Sequence, residues 1–269
     1  MPDIPNLHVA GAQVPLIWED RDKNLEILKE RIDAYTAVVD VLVLPEAFTT
    51  GFSMKTERLA EEHDDNMHTL VWMRSIAKER TCCVTGSVIV KDNSKYYNRL
   101  YWVFPDGSYK TYDKRHLFSY AKEDKDFTPG TERLIIEYKG WRICPLICYD
   151  LRFPMWSRNL SKEGESCFDL LIYVANWPSV RRNVWNVLLQ ARAMENQCYV
   201  MGVNRVGVDG NAISHSGDSA LLDAKGDRIC TTQPGLPGWA TEQLSMDDLE
   251  EFRERFPVIK DGDKQLIQR

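Results

Sequence analysis

The 269-residue chain has no apolar run near the roughly 20 residues needed to cross a bilayer. Its first residues, MPDIPNLHVAGAQVPL, have neither the basic start nor the long apolar stretch of a signal peptide, so a cytoplasmic location is expected. A basic stripe is also missing. The formal charge is -6 and the signs are mixed along the chain, which argues against nucleic acid and membrane surfaces as partners. Seven cysteines is an odd number, and most lie in apolar stretches as free thiols do, so no disulfide framework is expected. Cys144 and Cys148 have no second Cys or His pair nearby to complete a four-ligand metal site, and no repeat of 20 to 50 residues occurs. Neither metal nor cofactor is expected.

The residues that are present describe layered α and β structure. Short apolar runs alternate with amphipathic segments, separated by Gly, Pro and Asp turns. LHVAGAQV reads as a first strand. Leu25, Leu28, Ile32 and Tyr35 then fall at helical spacing among charged residues. VLVLPEAF is a continuous apolar run, as in a strand buried on both faces, and Pro45 ends its ladder just before Glu46. A helix is expected from His68 to Glu79, followed by the strand TCCVTGSVIV and a hairpin turning at Pro-Asp-Gly, from which Lys114 emerges. WRICPLIC reads as a strand ending at Cys148, with a helix expected from Pro154 to Gly164. LLIYVANW, a helix around NVWNVLLQARAMENQ, CYVMGVNRVG, a hairpin around Lys225 and Gly226, and a charged helix after Asp247 complete the pattern. With no linker, a single domain over residues 1–269 is the economical reading.

Glu46, Lys114 and Cys148 each follow a strand, where ligands collect in sheets of this kind. A thiol attacks carbonyl carbon once it loses its proton, and a cysteine before a helix N-terminus is expected to gain thiolate stabilisation. A glutamate can take that proton, and an ammonium can stabilise the oxyanion. Taken singly, each residue has an ordinary structural reading: a buried thiol, a solvated carboxylate, a charge on a turn.

The flanking residues decide between these readings. LPEAFTTGF, DKRHLF and ICYDLRFP resemble, in order and separation, the three signature segments of the nitrilase superfamily, and similarity extends to AQVPLIWEDRDKNL, to NWPSVRRNVWNVLLQARAMENQCYVMGVNRVG and to SGDSALLD. The resemblance implies a four-layer αββα sandwich and an amide hydrolase. It implies Cys148 as nucleophile, Glu46 as general base, Lys114 as oxyanion stabiliser and Glu123 in support. The backbone N–H of Tyr149 would be a second oxyanion donor. Tyr149 and Asp150 stand where a true nitrilase has Trp and Glu, which favours amides over nitriles.

CYDLRFP, NWP and ENQCYVMGVNR look most like the omega-amidase branch, which hydrolyses the terminal amide of dicarboxylate monoamides such as 2-oxoglutaramate. A different amide or an N-carbamoyl amino acid is the alternative substrate. A non-catalytic interaction module on the same fold is the alternative class, and the intact Glu46, Lys114 and Cys148 argue against it. A free substrate carboxylate calls for a cation, and Arg115, Arg152, Arg181 and Arg205 lie near the signature segments. Trp177 reads either as a pocket wall or as a core aromatic. His215 stands where relatives often carry an aromatic residue and is left without a role, and His116 reads as a local structural residue. The resemblance also implies a homodimer or higher homo-oligomer, with FPMWSRNL as an interface.

Overall fold

The computed structural model describes residues 4–159 and 165–262. Its strands form two large sheets. The first has the order β15 (Gly238–Leu244), β1 (Leu7–Gln13), β2 (Val41–Val43), β4 (Cys83–Asp92), β5 (Lys95–Val103) and β6 (Tyr109–Asp113), with the short β3 (Glu61–Glu62) beside β4. The second runs β14 (Arg228–Thr231), β13 (Ala220–Leu222), β10 (Tyr199–Asn204), β9 (Leu170–Ala175), β8 (Trp141–Ile147) and β7 (Ile136–Tyr138). A two-stranded ribbon, β11 (Val206–Val208) and β12 (Ser214–Ser216), stands apart from both. The central strands are parallel, β1 with β2 and β4, and β8 with β9 and β10.

Strand alternation sorts the apolar residues into layers. Val41 and Val43 join the core between the sheets, with Trp102, Ile143, Ile147 and Val203, while Leu42 between them faces a second core with Leu25, Leu28 and Ile32. That second core is covered by α1 (Arg21–Ala34) and α3 (His68–Arg80). α5 (Arg182–Asn196) and α6 (Met246–Arg255) supply Trp185, Leu189, Ala193 and Leu249 to the core of the other sheet. The short helices α2 (Thr56–Leu59), α4 (Glu123–Asp126) and α7 (Val258–Asp261) lie in connections. The result is a helix-sheet-sheet-helix sandwich. The sheets touch closely where β1 crosses β10: a Cβ at Gly11 would stand 2.5 Å from both Met201 and Val203, so no larger residue fits.

Most expected helices and strands appear within a residue or two, but β5 begins at Lys95, five residues ahead of the expected Leu100, and one expected helix is missing. No helix starts at Pro154. A five-residue 3-10 turn, Cys148–Arg152, comes first, and residues 154–157 form a further turn. The acceptor side chain of Asp150 draws the chain back onto the Ile147 N–H at 3.1 Å, closing the turn before a regular helix can begin. The rest of that expected helix, 160–164, lies outside the described residues. Among the described residues no helix is long and apolar enough to cross a membrane.

Candidate active site

The three strand ends deliver their residues to one place. Pro45 closes the run after β2, and Ala47 adopts a left-handed φ of 43°, which turns the chain at Glu46. Lys114 follows β6 directly, with its N–H donating to the Asn98 carbonyl at 3.0 Å and its carbonyl accepting from the Gly130 N–H at 2.9 Å. Cys148 follows β8 and has a φ of 45°. A non-glycine residue in that region stores strain that neighbouring contacts must hold. The site therefore spans both sheets: Glu46 and Lys114 come from the first, Cys148 and Asn176 from the second.

At the floor, the Lys114 ammonium donates to Glu46 Oε1 at 2.8 Å and to the two Glu123 oxygens at 2.9 and 3.0 Å. All three side chains are fully buried. Glu46 Oε1 also accepts from Asn98 Nδ2 at 2.8 Å, and Oε2 accepts from the Asn176 N–H at 2.8 Å. The Asn176 side-chain amide donates to the Glu46 carbonyl, which holds the same segment from behind. Glu123 Oε2 accepts from the Phe118 N–H at 2.5 Å. The Phe52 ring lies 4.9 Å from the ammonium.

Burial works against each charge here, and the arrangement decides the outcome. For Lys114, burial opposes the ammonium, but the charges of Glu123 and then Glu46 outweigh it and hold the pKa above the usual lysine value. Burial, with the nearby charge of Glu46, raises the Glu123 carboxyl above the usual range, although Lys114 opposes that rise. Cys148 is pushed well above an ordinary thiol, first by burial and then by the charge of Glu46, with Lys114 offsetting only part. This corrects the expectation of a thiolate stabilised by a helix end. The element after Cys148 is one short 3-10 turn in place of the expected helix, and burial, followed by the Glu46 charge, favours the protonated sulfur over the thiolate.

Above this floor is a cavity of about 360 Å³, lined by Glu46, Lys114, Cys148, Tyr149 and Trp177 among others. That volume is at the small end for ligand sites. Tyr149 lies in the first turn after Cys148, whose N–H groups have no partner within the turn itself. The Trp177 indole N–H donates to the Arg181 carbonyl at 2.9 Å, and its backbone is held on both sides by Asn204 at 2.8 and 3.0 Å. Trp177 is thus both buried and a cavity wall.

Of the four arginines near the signature segments, two reach the cavity. Arg152 lies over the Trp177 ring at 5.1 Å and Arg181 over Phe118 at 5.4 Å, and neither has an ion-pair partner among the described residues. Arg115 instead donates to the Gly130 carbonyl, and Arg205 is buried against the Leu16 carbonyl. His215, unassigned from the sequence, lines the cavity with Nδ1 unpartnered, and its pKa is lowered to about 4 by burial and then by the charge of Arg205. His116 stacks flat on Phe153 with centroids 3.6 Å apart, in keeping with a local structural role.

Sequence reasoning did not single out Asn98 or Asn176 as supports of Glu46. Asn98 lies in the middle of β5, with no pattern to mark it. Asn176 sits in NWP, a segment that carries the resemblance, but its contact with the Glu46 carboxylate uses a backbone N–H, and its side chain reaches only the Glu46 carbonyl, so neither contact leaves a mark in the spacing. Among the described residues no group of three or more His, Cys, Asp or Glu side chains could hold a metal.

The Carbon-nitrogen hydrolase family matches residues 8–254. The Omega-amidase YafV of Escherichia coli (strain K12) is 42% identical over 261 residues, covering 97% of this chain and 98% of that protein. The 2-oxoglutaramate amidase of Bacillus subtilis (strain 168) is 34% identical, covering 96% of this chain and 98% of that one. Among solved structures, a CN-hydrolase superfamily protein from Xanthomonas campestris, with an arsenic adduct in its active site, superposes with a TM-score of 0.91 at 40% identity, covering 96% of this chain and 97% of that chain.

Proposed function

The chain belongs to the carbon-nitrogen hydrolase family and is an amidohydrolase, and on that premise we propose that it removes the terminal amide of small dicarboxylate monoamides, 2-oxoglutaramate in particular, with Cys148 as nucleophile. The observation that carries the substrate class is the pair of guanidinium groups at the cavity mouth, Arg152 and Arg181, each stacked on an aromatic ring and free of an ion-pair partner among the described residues. A planar cation held by stacking and without a carboxylate of its own is suited to the free carboxylate at the far end of such a substrate. The ammonium of an amino-acid amide such as glutamine would meet two positive charges at that point. The names of the relatives from Escherichia coli and Bacillus subtilis agree with this reading.

In this mechanism Glu46 accepts the thiol proton as the Cys148 sulfur attacks the amide carbon. The electron pair of the C=O bond moves to oxygen, and the oxyanion lies between the Lys114 ammonium and the Tyr149 N–H. Collapse breaks the C–N bond while Glu46 returns its proton to nitrogen, and ammonia leaves a thioester. Glu46 then takes a proton from water, the hydroxide attacks the thioester, the C–S bond breaks, and the sulfur recovers its proton. Glu123 keeps Lys114 charged and fixed through both halves, and Trp177 walls the acyl chain. No cofactor or metal enters these steps.

We read the chain as one domain, since the reacting groups come from both sheets, and as a cytoplasmic protein. It pairs with a second copy in this reading through the segment starting at Phe153, where Met155 is exposed. Sedimentation of Met155→Glu against wild type tests the pairing.

Ammonia release from 2-oxoglutaramate, glutamine, an N-carbamoyl amino acid and a simple nitrile, on wild type and Cys148→Ala, tests the function. Preferred turnover of 2-oxoglutaramate, lost in the variant, is the expected result. Preference for another compound would overturn the substrate, and activity surviving in Cys148→Ala would overturn the nucleophile.

A further inference from the structure

Behind the cavity, one buried carboxylate joins the chain segments that carry Lys114 and Cys148. Asp150 is fully buried. Its Oδ2 accepts from the Tyr112 hydroxyl at 2.7 Å and from the Ile147 N–H at 3.1 Å. Its Oδ1 accepts from the His116 N–H at 3.0 Å and lies 2.8 Å from His116 Nδ1. The Tyr112 hydroxyl in turn accepts from the Arg115 N–H at 3.2 Å and the Trp156 indole N–H at 3.0 Å.

These contacts come from two directions. Tyr112, Arg115 and His116 flank Lys114 in the chain, and Ile147 immediately precedes Cys148. Asp150, Tyr112 and His116 do not line the cavity, so none is placed to touch substrate. A carboxylate with donors on both oxygens is rigid in a way that a single capping bond is not, because moving it breaks several bonds at once. It is also close to the strained backbone at Cys148, whose left-handed φ has to be held by its neighbours.

We propose that Asp150 is a positioning residue that sets the separation of the Lys114 ammonium and the Cys148 sulfur by clamping both segments to one carboxylate. Its loss therefore appears in the rate of sulfur attack and not in substrate binding. The inference rests on the reading of Cys148 as nucleophile and Lys114 as oxyanion partner given above.

Asp150→Asn tests it. The amide keeps the size of the side chain but turns one acceptor oxygen into an NH₂ that faces the donors of one arm. With the amide that the substrate comparison singles out, kcat is expected to fall about 100-fold, the cost of a displacement near 1 Å at a reacting centre. KM should stay within about threefold, because the cavity walls are untouched. Alkylation of Cys148 by iodoacetamide should slow as well, with its pH midpoint shifted, because the sulfur leaves its place beside Glu46. Tyr112→Phe deletes one arm and keeps the carboxylate, so a fall in kcat of about tenfold at unchanged KM is expected there, and it decides the matter if Asp150→Asn does not fold. A loss carried by KM, or a fall in kcat only in proportion to the folded fraction, overturns the inference. Wild-type kcat in both variants with Cys148→Ala inactive overturns it too while leaving the nucleophile in place. An active Cys148→Ala overturns the reading beneath it.

Discussion

The floor and the mouth of the cavity are both charged, but they treat charge in opposite ways. At the floor, Glu46, Lys114 and Glu123 are buried together, and the ammonium is held by both carboxylates. At the mouth, Arg152 and Arg181 have aromatic rings for neighbours and no ion-pair partner among the described residues. Internally paired charge keeps its geometry whatever enters, which suits a reaction common to many amides. Charge left without a partner is a demand on the ligand, which suits selection of one class of amide. On this view the chemistry is stored at the floor and the choice of substrate at the mouth.

The comparison breaks most severely at Lys114. Lys114→Met leaves two buried carboxylates without their cation, so thermal unfolding should show a loss of about 3–5 kcal/mol and ammonia release should fall about 1000-fold, as when an oxyanion donor is removed. Arg152→Gln and Arg181→Gln should instead leave stability nearly unchanged and raise KM for a carboxylated amide about 10- to 100-fold, in line with losing a charge-assisted contact. An amide lacking the distal carboxylate should show no such rise in initial-rate assays.

A pH measurement sharpens the contrast at the cavity wall. His215 has its folded pKa lowered to about 4 from 6.5, so between those values the unfolded chain binds the proton and the folded one does not. Its neutral form is fully compatible with folding above pH 6.5, and stability is lost as pH falls from there toward 4. The cost is about 2 kcal/mol at pH 5. Denaturant titrations at pH 7.5 and 5 should show His215→Phe losing less stability across that interval than wild type. The smallest effect is expected at Lys55, a cavity cation already paired with Glu19 at 3.2 Å. Lys55→Ala should change KM less than about twofold, because an exposed pair contributes little.

The sequence made the floor legible and the mouth obscure, for physical reasons. Glu46, Lys114 and Cys148 lie in short segments whose neighbours are constrained by the turns that present them, so their pattern survives in one dimension. Arg152 and Arg181 could not be separated from Arg115 and Arg205 by spacing, because what distinguishes them is the direction of a long side chain. Asn98 supports Glu46 from a strand 52 residues away. The expected helix at Pro154 failed for a related reason. Pro154 is a good helix opener, but the tertiary bonds of Asp150 had already fixed the preceding turn. Strand and helix periods are legible for the buried central elements, whereas the edge strands β7 and β15, without a continuous apolar run, are not.

The division of the site between two sheets also bears on how the chain comes to life during folding. A chain with only the second sheet assembled would carry Cys148 without Glu46 and Lys114, and one with only the first would hold that carboxylate and ammonium with no sulfur beside them. Recovery of activity should therefore lag behind recovery of secondary structure and coincide with the locking of β1 onto β10 at Gly11. Turnover in such an experiment would time the meeting of the two sheets, an event that secondary structure alone does not register.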